Sequence, residues 1–318
     1  MKEDQENLES SLNEEEYLKR HLRELEVVKE KPQPRVTVDT DSTIDNLKYF
    51  SFDIKDFPCG VFYPAGTTIL IRSAEVKEIQ SYSMVDDGNY YDIVEKMNEM
   101  LSSCVRVKYP NGTGPNGSEI GSYMDLRDPD RFYLIFSIRE LTFQQGNTLV
   151  TKAVCSCGKE TQIELKRQNF KLFSIPDNLK KYYDSTNRCF TFETVNGGVY
   201  HLAPPTIGLQ KAFTDYIVTE NAEKRKPNLS FLKVIPFVLY DRTSITPEGI
   251  KAKLDEYIKI DPDSFQFLNS AVEKLNFGIE KVISQCSCGL EVHSEMIFPD
   301  GPSAVFVIHD AFDRFIKK

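Results

Sequence analysis

Apolar residues recur at two different spacings along residues 47–318 of this chain. In the segment 90–104 they return every three to four positions, which predicts a helix with one apolar face. That face is formed by Ile93, Val94, Met97, Met100, Leu101 and Cys104. In the segment 160–165 apolar and polar residues alternate instead, which is typical of a half-buried strand.

The other segments also divide into predicted helices and predicted strands. Helical spacing is found at 74–84, 205–227, 246–260 and 262–278. Strand-type runs are found at 66–74, at 131–143 and on both sides of the Asn-Gly-Gly turn at 196–198, where a hairpin is expected. The run RFYLIFSIRELTF at 131–143 is mostly apolar and predicts a long strand. Together these segments predict an α/β (α+β) fold with mixed, mostly antiparallel sheets and helices.

Residues 1–46 differ from the rest and are predicted to form an N-terminal helical arm and linker. Leu18, Leu22 and Leu25 lie at helical spacing, and Pro32 and Pro34 then end any helix. The arm is interpreted either as a segment that docks on a partner or as a helix on its own domain or a frayed tail. The remainder is divided into a first α/β half, 47–175, and a second α/β half, 176–318.

Charge and hydropathy exclude two classes of partner. The 318 residues contain 48 Asp and Glu against 39 Lys and Arg, a net charge of −9, whereas a nucleic-acid-binding chain needs a basic face. No stretch approaches the roughly 18 consecutive apolar residues of a membrane helix. The start, MKEDQENLES, lacks the apolar run of a secretory signal. We therefore expect folding in a reducing cytoplasm, where closely spaced cysteines indicate metal binding rather than disulfides.

Four of the seven cysteines belong to two copies of Cys-Ser-Cys-Gly. Cys155 and Cys157 form the first copy, and Cys286 and Cys288 form the second. The glycine after each pair permits a tight turn that points both thiolates toward one ion, and strand-type residues flank each turn. Four thiolates are the ligand set of a closed tetrahedral zinc site. The sequence thus predicts two zinc-knuckle hairpins joined by one structural zinc per chain.

Three other interpretations of the cysteines remain open at this point. The four thiols can belong to two unrelated hairpins without metal. A redox dithiol is disfavoured, because such centres normally use Cys-x-x-Cys. A catalytic zinc is disfavoured too, because it requires an open coordination position. His293 follows Cys288 by five residues and is either a substitute ligand or, more often for such a histidine, a surface residue.

No arrangement of residues typical of catalysis is found in the sequence. The glycines at 112, 114 and 117 match Gly-x-Gly-x-x-Gly, but a proline lies inside the pattern and more loop follows it, so a dinucleotide site is rejected. His21, His201 and His309 are scattered, with no Ser/His/Asp set and no phosphate loop. The chain is therefore expected not to be an enzyme and to have no small-molecule substrate.

Three segments of the first half carry a resemblance to a known family: TILIRSAEVKEIQSY, DIVEKMNEMLSSCVRV and RFYLIFSIRELTFQQGNTLVTKAVCSCGKETQIEL. They resemble the baseplate and hub-assembly proteins of contractile-tailed phages of the T-even type. The shared features are a β-hairpin leading to the pair Ile71 and Arg72, a Glu-bearing helix, a helix ending in Cys104, and an apolar YLIFSIR strand before closely spaced cysteines. The resemblance covers about residues 66–170 and extends to the second cysteine pair.

The resemblance implies a non-enzymatic structural or assembly component of the phage tail baseplate, in its hub region. Its partners would be other baseplate and tail proteins, and its location the virion tail baseplate or the host cytoplasm during assembly. The alternative is a zinc-ribbon nucleic-acid-binding regulatory protein. The net charge of −9 and the lack of interleaved aromatic and basic residues count against that alternative.

Overall fold

The structure is a computed structural model, and it describes residues 43–44, 47–143, 149–194, 196–275, 277–294, 298 and 301–306. Except for 43–44, the predicted N-terminal arm at 1–46 lies outside the described residues, and so do the residues after 306. No helix in these ranges is long and apolar enough to cross a membrane.

Seven α-helices are found among the described residues. They are α1 Val76–Ser83, α2 Tyr90–Cys104, α3 Arg131–Thr142, α4 Ile207–Ala222, α5 Leu229–Val238, α6 Pro247–Tyr257 and α7 Pro262–Lys274. Short 3₁₀ turns connect many of these elements. The predicted helices at 74–84, 90–104, 205–227, 246–260 and 262–278 all contain one of these seven.

The strands form five small sheets in which every described pairing is antiparallel. One sheet joins β1 Thr43–Ile44 and β2 Leu47–Lys48, and another orders β3 Phe50–Asp53, β4 Thr68–Ile71, β5 Val105–Lys108 and β6 Ile120–Gly121. β7 Val150–Val154 and β8 Glu160–Glu164 form a hairpin. β10 Tyr183–Asp184, β11 Cys189–Glu193 and β12 Val199–Leu202 form a third group, and β9 Phe170–Leu172, β13 Ile279–Gln285 and β14 Glu291–Ser294 form the last. The predicted mixture of helices with antiparallel sheets is confirmed.

The prediction of a strand at 131–143 is wrong, because Arg131–Thr142 is the helix α3. Every residue from Tyr133 to Arg139 is buried, so this helix is surrounded by the core on all sides. Such a helix lacks a polar face, and its sequence cannot be told from a buried strand by periodicity. The signal that was available is the Asp-Pro-Asp turn at 128–130, which ends where the helix begins.

The helix α2 shows how local sequence sets an element correctly. The Asn89 side chain caps its first turn by accepting hydrogen bonds from the backbone N–H groups of Tyr91 and Asp92. Met97, Met100, Leu101 and Cys104 are buried, as the apolar stripe predicts. The cysteine is packed as a small apolar side chain.

A buried ion pair joins β4 to α1. The Arg72 guanidinium follows β4 and donates to both carboxylate oxygens of Glu78, at 2.5 and 3.1 Å. Glu78 also accepts a hydrogen bond from the backbone N–H of Glu75, and the Cys104 sulfur lies 3.9 Å from it. The pair is therefore held by three separate parts of the first half of the chain.

Strand pairing brings the two Cys-Ser-Cys-Gly segments into one place. After β8 the chain makes one 3₁₀ turn into β9, and β9 pairs with β13 so that Phe170 lies opposite Val282. β14 packs against β7, where the side-chain oxygens of Thr151 and Ser294 lie 3.2 Å apart in a buried position. The β9–β13 pairing and the core both run across the predicted boundary between 175 and 176, which stays a prediction.

Candidate metal centre

Each Cys-Ser-Cys-Gly segment forms the turn of an antiparallel hairpin. The first turn connects β7 to β8, whose end residues Val154 and Glu160 lie opposite each other. The second turn connects β13 to β14, where Gln285 lies opposite Glu291. The same sequence thus occupies the same position in two hairpins.

The two turns have the same hydrogen bonds. In each one, the backbone N–H of the first cysteine donates to the carbonyl of the residue after the glycine. The glycine N–H in turn donates to the carbonyl of that cysteine. The distances are 2.9 Å for Cys155 to Lys159, 2.8 Å for Gly158 to Cys155, 2.9 Å for Cys286 to Leu290 and 2.8 Å for Gly289 to Cys286. The turn geometry therefore repeats between the two segments.

Glycine is required in both turns by the backbone conformation rather than by crowding. Gly158 has a φ of +83° and Gly289 a φ of +88°, in the left-handed region that side chains disfavour. A Cβ atom at either position would meet nothing within 4 Å. The constraint at both positions is therefore the positive φ that closes the turn, and not a lack of room for a side chain.

The fold gathers all four predicted cysteines. Their sulfur atoms lie within 4.8 Å of one another, and a group of this kind could hold a metal ion. The closest approaches join the two hairpins: Cys155 Sγ lies 3.6 Å from Cys288 Sγ, and Cys157 Sγ lies 3.8 Å from Cys286 Sγ. All four are free thiols, and these separations exceed the ~2.05 Å of a disulfide bond.

Each hairpin contributes one inner and one outer sulfur. Cys155 and Cys286 are buried, whereas Cys157 and Cys288 are exposed. The first cysteine of each turn therefore faces the protein interior, and the second faces the surface. The two outer sulfurs are therefore accessible from solvent.

The surroundings of two sulfur atoms favour the thiolate that a metal requires. A hydrogen bond from the Thr161 side chain, with one from the backbone N–H of Cys288, lowers the pKa of the Cys286 thiol to about 6. The backbone N–H of Cys157 lowers the pKa of Cys155 in the same way. These N–H groups belong to the turns themselves, so the turn that positions the sulfur also stabilises its negative charge.

Crowding of the four thiols acts in the opposite direction. The backbone of Leu290 lowers the pKa of Cys288, but the neighbouring sulfur atoms, Cys157 first among them, raise it to about 11. Four negative charges cannot share so small a space without a cation between them. The arrangement thus has the donor atoms of a metal site, and its four sulfurs can all be thiolates only with a cation among them.

Sequence reasoning missed the residues that support the cysteines from the other hairpin. Thr161 on β8 hydrogen-bonds to Cys286, and the Lys159 ammonium lies 3.4 Å from the hydroxyl of Ser287. Neither residue has a recognisable spacing to its partner, because the contact exists only after the two halves of the chain meet. No local pattern could have revealed them.

The other candidate residues lie apart from this group. His293 is exposed on β14 and is not among the cysteine group's donors. The His201 Nδ1 atom lies 3.0 Å from the Thr191 hydroxyl in the β11–β12 hairpin. Cys59 and Cys189 are buried elsewhere in the core. His21 and His309 lie outside the described residues.

In comparisons with known proteins, no family model, no curated protein and no solved structure matches this chain.

Proposed function

We propose that the four cysteines bind one zinc ion per chain. In a tetrahedral site with zinc–sulfur bonds of ~2.3 Å, neighbouring sulfur atoms are about 3.8 Å apart. The contacts between the hairpins, 3.6 Å for Cys155 with Cys288 and 3.8 Å for Cys157 with Cys286, fit that spacing. Four thiolates are also the donor set that zinc prefers in structural sites.

The zinc site is closed and structural. Four protein sulfurs fill a tetrahedral coordination sphere, so no position is left for water or substrate. The ion instead fastens two zinc-knuckle hairpins, β7–β8 and β13–β14, whose cysteines lie 129 or more positions apart in sequence. The free energy of metal binding is then part of the free energy of folding.

We infer further that the chain is a structural or assembly component of a contractile phage tail baseplate, in the hub region. It acts by binding other baseplate proteins and not by catalysis. The observation that carries this inference is the sequence resemblance over about residues 66–170. Its location would be the virion tail baseplate, or the host cytoplasm during assembly.

The packing of this chain adds support to that inference. Arg72, the Glu-bearing helix α1 and Cys104, which all carry the resemblance, meet at the buried pair of Arg72 with Glu78. The segment 131–143 contributes a helix, whereas the resemblance implied a strand there. A rigid framework fastened by metal suits a protein that presents surfaces to neighbours.

The proposed function is tested in phage-infected cells. A tagged copy of the full chain is expressed during infection, and tail structures are purified and analysed by mass spectrometry. We expect recovery with baseplate proteins, and His201→Ala and His293→Ala variants should complement a phage that lacks this gene. A chain that never purifies with tail proteins would refute the baseplate role, and a histidine variant that folds and binds but yields no tails would reveal a chemical role.

A further inference from the structure

A large groove opens between two loop segments of the described fold. Its volume is about 930 Å³, and residues of 54–66 and 173–188 form its walls. Much of its lining is apolar, including Ile54, Phe57, Val61, Phe173, Ile175 and Pro176. This volume lies in the range of sites that enclose a ligand of several side chains.

The walls of the groove are fixed to each other. The Tyr183 hydroxyl, on one wall, donates a 2.6 Å hydrogen bond to the carbonyl of Val61 on the other. The ring of Tyr183 also packs edge-on against Phe62, with ring centres 5.8 Å apart. A ligand would thus enter a groove whose shape is already set, which lowers the entropy lost on binding.

The charges around the groove are opposite to those of the whole chain. Lys55, Lys180 and Arg188 line it together with one carboxylate, Asp177, and that carboxylate is paired with Lys180 at 2.6 Å. Within the described residues, the side chains of Lys55 and Arg188 have no ion-pair or hydrogen-bond partner. A chain of net charge −9 therefore presents two unpaired cations at this apolar groove.

Arg188 has a backbone conformation that turn chemistry does not explain. It ends the loop 185–188 between β10 and β11, with Asp184 opposite Cys189, and its φ is +54°. Glycine or asparagine is the usual residue at that position of a hairpin loop, because other residues adopt a positive φ only at an energetic cost. The loop is held in place by Asp184, whose carboxylate accepts hydrogen bonds from the N–H groups of Thr186 and Asn187.

The side chain of Arg188 also lies where two cavities meet. It is half-buried, and it lines both the 930 Å³ groove and an adjoining polar cavity of about 440 Å³. Tyr63 and Pro64 are shared by both cavities as well. An unpaired guanidinium at such a junction is suited to a carboxylate, which it can bind through two parallel hydrogen bonds.

We propose that this groove binds an acidic, apolar segment of a partner protein, with Arg188 pairing with a carboxylate of that segment. Apolar side chains of the segment fill the part lined by Phe57, Phe173 and Ile175, and its acidic residues meet Arg188 and Lys55. The apolar lining disfavours a nucleic acid, whose phosphates need a continuous basic track. The groove proposal rests on the proposed function in one respect: in both, the chain acts by binding another protein.

The test uses the full chain, immobilised, and a display library of random peptides. We expect selected peptides to combine aspartate or glutamate with aliphatic or aromatic residues. Synthetic copies should bind Arg188→Gly about tenfold or more weakly than wild type, because a charge-assisted pair is lost. Glycine favours a φ of +54°, so this variant should melt at the same temperature as wild type or higher.

Lys224→Gly is the matched control. Lys224 has a φ of +58°, is exposed at the end of α4 and does not line the groove. This variant also replaces a cationic residue that has a positive φ by glycine, and it should bind the peptides as wild type does. If both variants lost the same amount of peptide affinity, the loss would be an effect of net charge, and the proposal would be overturned.

Three further results would overturn the proposal. They are a library without binders, selected peptides without acidic residues, and displacement of the peptides by inorganic phosphate or a single-stranded oligonucleotide at equal concentration. The baseplate role is judged separately by recruitment of the chain to tails. If Arg188→Gly loses the peptides but is recruited as well as wild type, the groove is not the contact used in tails, and the segment that it binds belongs to another partner protein. A chain that binds acidic peptides through Arg188 without recruitment would instead refute only the baseplate role.

Discussion

The sulfur atoms of Cys155 and Cys288 lie 3.6 Å apart although 133 positions separate the two residues in sequence. The first cysteine of one turn meets the second cysteine of the other, and Cys157 meets Cys286 in the same crossed manner at 3.8 Å. An ion at this place would therefore bind each hairpin through both of its cysteines. Loss of the ion should release β13–β14 from β7–β8 and affect both halves of the chain.

The glycines of the two turns provide a first prediction. We expect Gly158→Ala to destabilise the metal-bound protein by ~1–2 kcal/mol and to weaken metal retention, because alanine resists the φ of +83°. The measurement is the fraction of metal lost to a competing chelator over time, together with urea denaturation.

Gly197→Ala is the control for that prediction. Gly197 has a φ of +80° in the β11–β12 turn, and its Cβ would also meet nothing within 4 Å. The variant should lose a similar amount of stability and retain metal as wild type does. If Gly158→Ala releases metal no faster than Gly197→Ala, the turn conformation does not determine metal binding.

The buried pair of Arg72 and Glu78 should be important for stability. Their side chains are only 6% and 7% exposed, so Glu78→Ala leaves a buried guanidinium without its carboxylate and should cost ~3–5 kcal/mol. Chemical denaturation of the single and double variants at these positions measures the coupling. Additive effects of the two single changes would show that the pair contributes nothing as a pair.

The same pair gives a pH dependence. Burial raises the pKa of Glu78, but hydrogen bonds from Arg72 and the Glu75 backbone outweigh it, and the pKa lies below the ordinary 4.5. Its contribution to stability is thus present above about pH 4.5 and is lost as the pH falls through the lower folded-state value. The stability difference between wild type and Glu78→Gln should shrink on acidification. A difference that is constant from pH 7 to about pH 3 would contradict this account.

Asp130 should show the opposite pH dependence. It is fully buried, and burial raises its pKa from 3.8 to about 6 despite hydrogen bonds from the Tyr63 hydroxyl and the Cys59 backbone. Its contribution to stability is present below about pH 3.8 and is lost as the pH rises through about 6. Asp130→Asn cannot ionise, so its stability relative to wild type should increase between about pH 4 and about pH 6.

Asp177→Asn is the comparison for Asp130→Asn. Asp177 is exposed, and its ion pair with Lys180 lowers its pKa. Exposed pairs contribute little, so this variant should show almost no change over the same pH range. Parallel denaturation curves at several pH values measure both variants, and equal pH trends for the two would contradict the assignment to Asp130.

Local patterns predicted much of the fold. The apolar stripe of α2 and the Asn-Gly-Gly turn after β11 each act over a few residues, and both predictions agree with the structure. The prediction of a strand at 131–143 failed, because this buried helix has no polar face that would reveal its period.

Of the candidate site, only the four sulfur atoms that would bind the metal could be predicted from the sequence. Two copies of Cys-Ser-Cys-Gly identify four sulfurs, and the glycines identify the turns. The bond from Thr161 to Cys286 and the contact of Thr151 with Ser294 depend on the β9–β13 pairing, which joins segments more than a hundred positions apart. Arg188 was missed for a related reason, since neither its φ nor its two cavities can be read from neighbouring residues.

The metal content of the purified chain tests the central claim most directly. Protein prepared under reducing conditions and analysed by inductively coupled plasma mass spectrometry should contain about one zinc ion per chain. Cys155→Ser should lose the metal and about 4 kcal/mol or more of stability, in the range that loss of a metal site reaches. Cys189→Ala, which removes a buried thiol outside the group, should retain the metal in full. A fully folded wild-type chain that contains no metal, or that links Cys155 to Cys288 and Cys157 to Cys286 by disulfides, would contradict the account.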